Sequence, residues 1–409
     1  MANRPLKLME MFNETPLLPG SPPHRSDTFQ HWLLNKPPQA YWNGNLPGEN
    51  FAREMWDQFQ AMWRSGRLPL RHVVWHVTNR CNLRCAHCGV RGGESTSTDL
   101  SLDEFASALP DLLMLGLQSI TLTGGEPLVR KDLFALIAVL KLCGVKVGMV
   151  SNGHHFERFE AQFQAHLPDA LAISIDGLEQ NHDKLRLFPG SYQQTLKALR
   201  LAREWQVPTL SVNTTVWPEN LSDLPELREV IFEAGAVHWV LRPITRSGRA
   251  ENAETLNQLQ MKSLLQFAAE SLYLGYDLSV AGVGYLGPLD NWLNMAPFFA
   301  YSGWDSLYIL PDGSLKGFNE AHLPVEGHLL KDSLPEVWYR RFRSYRGAPL
   351  AEICSDCRFL GRCYGGNRVE AETGTRCLRP LLEELEDSQA AQHWLSDFAH
   401  RPLTNAPQP

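Results

Sequence analysis

A chain of 409 residues with 44% hydrophobic content is long enough to hold two or three domains around sizeable cores. Its 38 Lys and Arg against 45 Asp and Glu give a formal charge of −7, which favours neither nucleic acid nor an anionic membrane as a partner. The opening Met1-Ala2-Asn3-Arg4-Pro5 lacks an apolar signal core, and no run reaches the roughly 20 apolar residues of a membrane span, so a cytoplasmic protein is expected. In that compartment its eight cysteines read as metal ligands rather than disulfides.

Residues 1–68 carry several prolines and Trp32, Trp42, Trp56 and Trp63, with one helix predicted from about Glu49 to Ser65; they read as an N-terminal extension of unknown role. From 69 to 250, β-like runs at 72–77, 118–122, 146–150, 170–175, 208–216 and 237–242 alternate with helices near 102–115, 131–142, 191–205 and 223–234. That alternation predicts parallel βα units and an α/β fold, a partial (β/α)6 TIM-type barrel. In such sheets chemistry gathers at the C-terminal strand ends, and the motifs fall there.

The first strand runs into Cys81-Asn82-Leu83-Arg84-Cys85-Ala86-His87-Cys88, a CxxxCxxC loop that points three thiolates at one small volume. Structural zinc and iron–sulfur cubes usually take four protein ligands, so three leave one metal position open. After the second strand, Gly124 and Gly125 let backbone approach a ligand, and Glu126, before Pro127, can accept hydrogen bonds from an ammonium group. Ser151-Asn152 and Ser174-Ile175-Asp176 end the third and fourth strands with ligand-binding or Asx-turn chemistry. Arg186, in Asn181-His182-Asp183-Lys184-Leu185-Arg186, suits a carboxylate or an ion pair with Asp183. Asn213 ends the fifth strand, and Arg242 the sixth. Cys143, in an apolar helical run, reads as a small core residue.

Residues 251–300 read as a connector and 301–385 as a small cysteine-rich domain, before a tail at 386–409. Leu307 to Leu315 is a hairpin around Pro311-Asp312-Gly313. Trp338-Tyr339-Arg340-Arg341-Phe342-Arg343 reads as a solvated helix face. Cys354, Cys357, Cys363 and Cys377 form a closed set of four thiolates, fit for zinc or a fully ligated cluster.

The cysteine loop resembles that of the radical S-adenosylmethionine (radical SAM) enzymes. The resemblance implies a [4Fe–4S] cluster on Cys81, Cys85 and Cys88, whose open iron is chelated by SAM and whose electron cleaves SAM to a 5′-deoxyadenosyl radical that abstracts hydrogen from substrate. It implies that Gly124 to Pro127 meet the SAM amino group, and that Ser151, Asn152, Ser174, Asp176, Arg186 and Asn213 serve its ribose and carboxylate. The C-terminal cysteines resemble a SPASM-like domain with an auxiliary [4Fe–4S] cluster on Cys354, Cys357, Cys363 and Cys377. Phe318 and Asn367 replace cysteines of the full pattern, and 298–304 has none, so two clusters in total are expected. The expected partners are a ribosomally made precursor peptide and an electron donor such as flavodoxin or ferredoxin. Tetrapyrrole side-chain modification is the rival, supported by Val74 to Thr78 and Cys363 to Gly374, which resemble tetrapyrrole-modifying members. A non-catalytic iron–sulfur or zinc protein is a distant third.

Overall fold

The computed structural model describes residues 62, 65, 66, 68–94, 98–283, 286, 303, 304, 306–317, 324–342, 354–359 and 377–387. The helix expected at 49–65 lies almost wholly outside the described residues, as do Cys363, Phe318 and Asn367. The chain divides into two compact units, one of residues 62–256 with 301–348, the other of residues 1–61, 257–300 and 349–409.

The first unit holds six parallel strands in chain order: β1 (His72–Thr78), β2 (Ser119–Gly124), β3 (Lys146–Ser151), β4 (Ala170–Ser174), β5 (Leu210–Val216) and β6 (His238–Pro243). The helices between them are α1 (Leu102–Met114), α2 (Leu133–Leu142), α3 (Glu160–Ala165), α4 (Glu179–Arg186), α5 (Ser191–Glu204) and α6 (Leu224–Glu233). Alternate residues explain the layering. Val73, Trp75 and Val77 of β1, Ile120 and Leu122 of β2, and Leu171 and Ile173 of β4 are fully buried, while the residues between them are mostly half-buried. Trp75 stacks on Phe105 of α1 at 4.0 Å, so the buried set faces the helices and the half-buried set faces inward. α1 is opened by a capping box, in which the Ser101 hydroxyl accepts from Glu104 N–H and the Glu104 carboxylate accepts from Ser101 N–H.

The hairpin forms as expected. β7 (Ser306–Ile309) and β8 (Ser314–Lys316) pair antiparallel around Pro311-Asp312-Gly313, with Gly313 at φ +89°. β7 also pairs parallel with β1, His72 opposite Ser306, and β8 with the two-residue β9 (Gly327–His328), so the barrel sheet continues past β1. Beyond it Trp338 is buried and donates from Nε1 to Leu68 O at 2.8 Å, while Arg340 and Arg341 face solvent. The expectation that Cys143 is a core residue is corrected: its side chain is exposed. α2 ends at Leu142, so the helical period that buries Leu133, Leu136, Ile137 and Leu140 does not carry on to Cys143 at the C-cap.

In the second unit, α7 (Gln258–Tyr273) is opened by an Asn257–Gln260 capping box and packs on the short strand Leu278–Val280. α8 (Arg379–Asp387) reaches back to the turn at 354–359, where Phe359 and Leu382 form a small core beside Cys357 and Leu378. Among the described residues no helix is long and apolar enough to cross a membrane.

Candidate active site

The cysteine loop that leaves β1 is gripped from several sides. Gly125 N–H donates to Thr78 O (2.8 Å) and Glu126 N–H to Arg80 O (2.9 Å), so the turn after β2 holds the start of the loop. Ala86 N–H donates to Leu185 O at 2.8 Å and ties the middle of the loop to α4. Arg249, in the exit from β6, holds the far side. Its backbone N–H donates to Cys88 O (3.0 Å) and its guanidinium to Cys85 O (2.8 Å), Gly92 O (3.2 Å) and the Glu94 carboxylate (2.6 Å). Within the loop, the Arg84 guanidinium donates to Cys81 O, Leu83 O and Gly93 O, each at 3.1 Å.

Inside this frame stand three free thiols, Cys85 buried and Cys81 and Cys88 half-buried. Cys81 and Cys88 flank Gly92, where an added Cβ would lie 3.5 Å from Cys81 Cβ, 3.8 Å from Cys88 Sγ and 3.3 Å from Gly125 Cα. Each sulfur faces one N–H donor: Leu83 N–H to Cys81 Sγ (3.5 Å), Gly92 N–H to Cys88 Sγ (3.3 Å) and the Arg186 guanidinium to Cys85 Sγ (3.9 Å). Burial pushes the Cys81 thiol up to about 11 and raises Cys85 as well. Neither ionises on its own near neutral pH, so a bound metal would have to displace the proton.

Among the described residues no three Cys, His, Asp or Glu side chains converge on the shell of one metal ion. Around a single zinc, bonds of about 2.3 Å would bring sulfurs to about 3.8 Å from one another. An iron–sulfur cube instead spreads its thiolates over separate irons, and a set of three cysteines with an N–H donor at each sulfur fits that group.

Glu126 is 1% exposed and fully engaged. It accepts from Leu128 N–H (3.1 Å), the Ser151 hydroxyl (2.9 Å) and Asn152 N–H (2.8 Å). Burial raises its pKa against those three bonds. The sequence-predicted Glu126, Ser151 and Asn152 are thereby brought together, and Asn152 Nδ2 reaches Asn82 Oδ1 in the cysteine loop at 2.8 Å. Pro127 opens a 3-10 turn directly behind them.

Asp176 and Arg186 form a second cluster, joined by Nε to Oδ2 at 2.7 Å and Nη2 to Oδ2 at 2.5 Å. Arg186 therefore turns to Asp176 and not to Asp183. Burial opposes the Asp176 charge, but Arg186, helped by His87 and His182, outweighs it and holds the carboxyl at about 2. Arg186 also donates to Ser174 O at 3.4 Å, and Asn213 pairs with Ser174 across β4 and β5. Of these, Arg186 reaches Cys85, and Asp176 lies close enough to act on it.

Several residues that the sequence did not single out complete this cluster. His182 Nδ1 accepts from Asp176 N–H (3.0 Å), and the buried Ser191 hydroxyl lies between His182 Nε2 (3.0 Å) and His154 Nε2 (2.8 Å). Thr215 N–H donates to Asp176 Oδ1 (2.8 Å), and Asn220 Nδ2 to Asp176 O (2.8 Å). His87 Nε2 is 3.7 Å from Asp176 Oδ2, and its buried ring also lies beside the Leu185 backbone, with no bond of ordinary geometry at Nδ1. Burial lowers His87 to about 4 and His182 to about 3, so both rings are neutral near pH 7. Of these, His87, within the cysteine loop, and His182, beside Arg186, stand in motifs legible in the sequence, while Ser191, His154, Thr215 and Asn220 carry no local signal.

In the second unit, Cys354 is buried, and Cys357 N–H donates to Cys354 O at 3.2 Å. Burial raises the Cys354 pKa, and the nearby Cys377 and Cys357 thiols add to that rise. Three of the four C-terminal cysteines are thus neighbours.

Residues 75–231, from β1 to α6, match the model of the radical SAM superfamily. The chain carries a radical SAM domain. That domain contains Cys81, Cys85 and Cys88, the turn at Gly124 to Pro127 and the Asp176–Arg186 pair. An AdoMet-dependent heme synthase of Methanosarcina barkeri (strain Fusaro / DSM 804) is 29% identical over 338 residues, which cover 74% of this chain and 93% of that protein. The sporulation killing factor maturation protein SkfB of Bacillus subtilis (strain 168) is 25% identical over 271 residues, 66% of this chain and 65% of that protein. The crystal structure of Streptococcus suis SuiB bound to precursor peptide SuiA matches with a TM-score of 0.60 at 14% identity, over 84% of this chain and 79% of that one, a likeness of fold. The radical SAM domain with its extended parallel sheet is therefore the fold expected from the βα alternation.

Proposed function

We propose that Cys81, Cys85 and Cys88 hold a [4Fe–4S] cluster with SAM on its open iron, that Cys354, Cys357, Cys363 and Cys377 hold a second, and that the substrate is a ribosomally made peptide. The observation that carries the reading is the three-thiol loop, clamped by Arg249, α4 and the glycine turn, with one N–H donor at each sulfur. When bound, the cluster and SAM supply a 5′-deoxyadenosyl radical, which takes a hydrogen atom from the substrate.

The chain's own residues position and shield. Glu126 holds Ser151 and Asn152 at the end of β3, and Asn152 fixes Asn82 within the loop. Asp176 spends its charge on Arg186, which aims the free edge of its guanidinium at Cys85. The peptide reading draws on the similarity to the maturation protein SkfB and on the fold shared with SuiB, solved with its precursor peptide. The heme synthase, matched over 93% of its length, favours a second reading, modification of tetrapyrrole side chains. An electron donor such as flavodoxin or ferredoxin would serve either.

The test is anaerobic reconstitution followed by iron and sulfide analysis and electron paramagnetic resonance. Two clusters give about eight irons per chain, with one signal perturbed by SAM. Cys85→Ala is expected to abolish 5′-deoxyadenosine formation; a variant that still makes it sinks the assignment. About four irons with bound zinc would keep the radical chemistry and remove the second cluster. Turnover of a precursor peptide rather than iron coproporphyrin III separates the two substrate readings.

A further inference from the structure

The last strand of the barrel ends on a cation that no described residue neutralises. Arg242 pairs with Thr215 and Val240 with Asn213 across β5 and β6, and Asn213 pairs with Ser174 across β4 and β5. Residues paired across parallel strands share a face, so Arg242 stands on the inner face with Ser174 and Asn213, two residues nearer the strand ends. Leu241 before it is fully buried on the helix side.

The Arg242 side chain is exposed, yet desolvation by surrounding protein lowers its pKa. The strand register puts this exposed cation on the inner face of the barrel and not among the helices outside it. Among the described residues no carboxylate comes within ion-pair or hydrogen-bond distance of it. The Tyr308 ring, paired with Val74 on the inner face of the extended sheet, meets His76 edge-on at 6.1 Å. The other arginines around the site are engaged, Arg186 by Asp176, Arg249 by Glu94 and Arg130 by Asp132. Thr215, paired with Arg242, donates its N–H to Asp176, which puts Arg242 one strand from the pair that faces Cys85.

We propose that Arg242 anchors the substrate of this site by receiving one of its carboxylates, so that the barrel selects an anionic substrate. The proposal rests on the radical SAM reading above. A guanidinium presents a planar fork that takes a carboxylate through two parallel hydrogen bonds and keeps its charge, which suits a position with no protein counter-ion. An acidic residue or C-terminus of a peptide and a propionate of a tetrapyrrole offer the same group.

The experiment is arginine footprinting of the reconstituted enzyme with phenylglyoxal, read residue by residue by mass spectrometry. Glutarate is the carboxylate probe and glutaramide its neutral control, and the exposed Arg158 is the internal reference. At a glutarate concentration about ten times its Kd, labelling of Arg242 is expected to slow about tenfold, with no protection by glutaramide and none at Arg158. Labelling of Arg242 that glutarate does not slow, or that SAM alone slows, overturns the proposal. An acidic peptide and iron coproporphyrin III are then compared as protectants, and the one effective at lower concentration identifies the source of the carboxylate. Formation of 5′-deoxyadenosine in the same samples tests the underlying reading separately. Its absence beside an intact footprint sinks that reading alone, and its presence without glutarate protection sinks the anchor alone.

Discussion

At Gly125 a methyl group would stand 2.1 Å from Arg80 O, and at Gly124, where φ is +132°, 2.4 Å from Thr78 O. Both glycines are therefore required first by the close approach of two protein backbones, the turn after β2 and the start of the cysteine loop. Gly125→Ala is expected to push the loop off the turn. Iron content after reconstitution should fall well below that of the wild type while far-UV circular dichroism stays near native. Full iron retention would show that the loop can shift without losing its ligand geometry. The sequence indicated that small residues are needed here but not what they make room for, because Arg80 O is brought against Gly125 only when β1 and β2 pair.

α4 shows how one short helix serves two neighbours. His182 and Arg186, four residues apart, share its inward face and are buried. Asp183 instead reaches forward to the start of α5, where its carboxylate accepts from Gly190 N–H (2.6 Å) and Tyr192 N–H (2.8 Å). It acts as a cap supplied by the preceding helix. Asp183→Ala is expected to cost about 1–2 kcal/mol in urea unfolding, and Asp183→Asn less, since the amide keeps one acceptor oxygen. A loss for Asn as large as that for Ala would show that the charge matters more than the two bonds. Spacing alone leaves Arg186 free to meet either a ligand carboxylate or Asp183. Asp176 prevails because it arrives from β4 already buried and in need of a counter-ion.

Across the whole molecule the two cysteine groups belong to different compact units, so their roles can be separated by substitution. Cys357→Ala is expected to leave 5′-deoxyadenosine formation measurable while product formation is lost; product at the wild-type yield would make the second cluster dispensable. The sequence by itself determined the barrel's βα order, the open set of three thiols and the Pro-Asp-Gly hairpin, because strand period, cysteine spacing and turn chemistry are local properties of a few consecutive residues. It also placed the candidate ligands at strand ends, since parallel βα order dictates where those ends lie. Only the tertiary structure decided that β7 adds to the sheet beside β1, that Arg186 faces a sulfur 101 residues earlier, and that Arg249 holds a carbonyl 164 residues before it. These contacts join groups whose neighbours in the chain say nothing of one another. They exist only once the curved sheet brings its far edges and exit loops around one inner space.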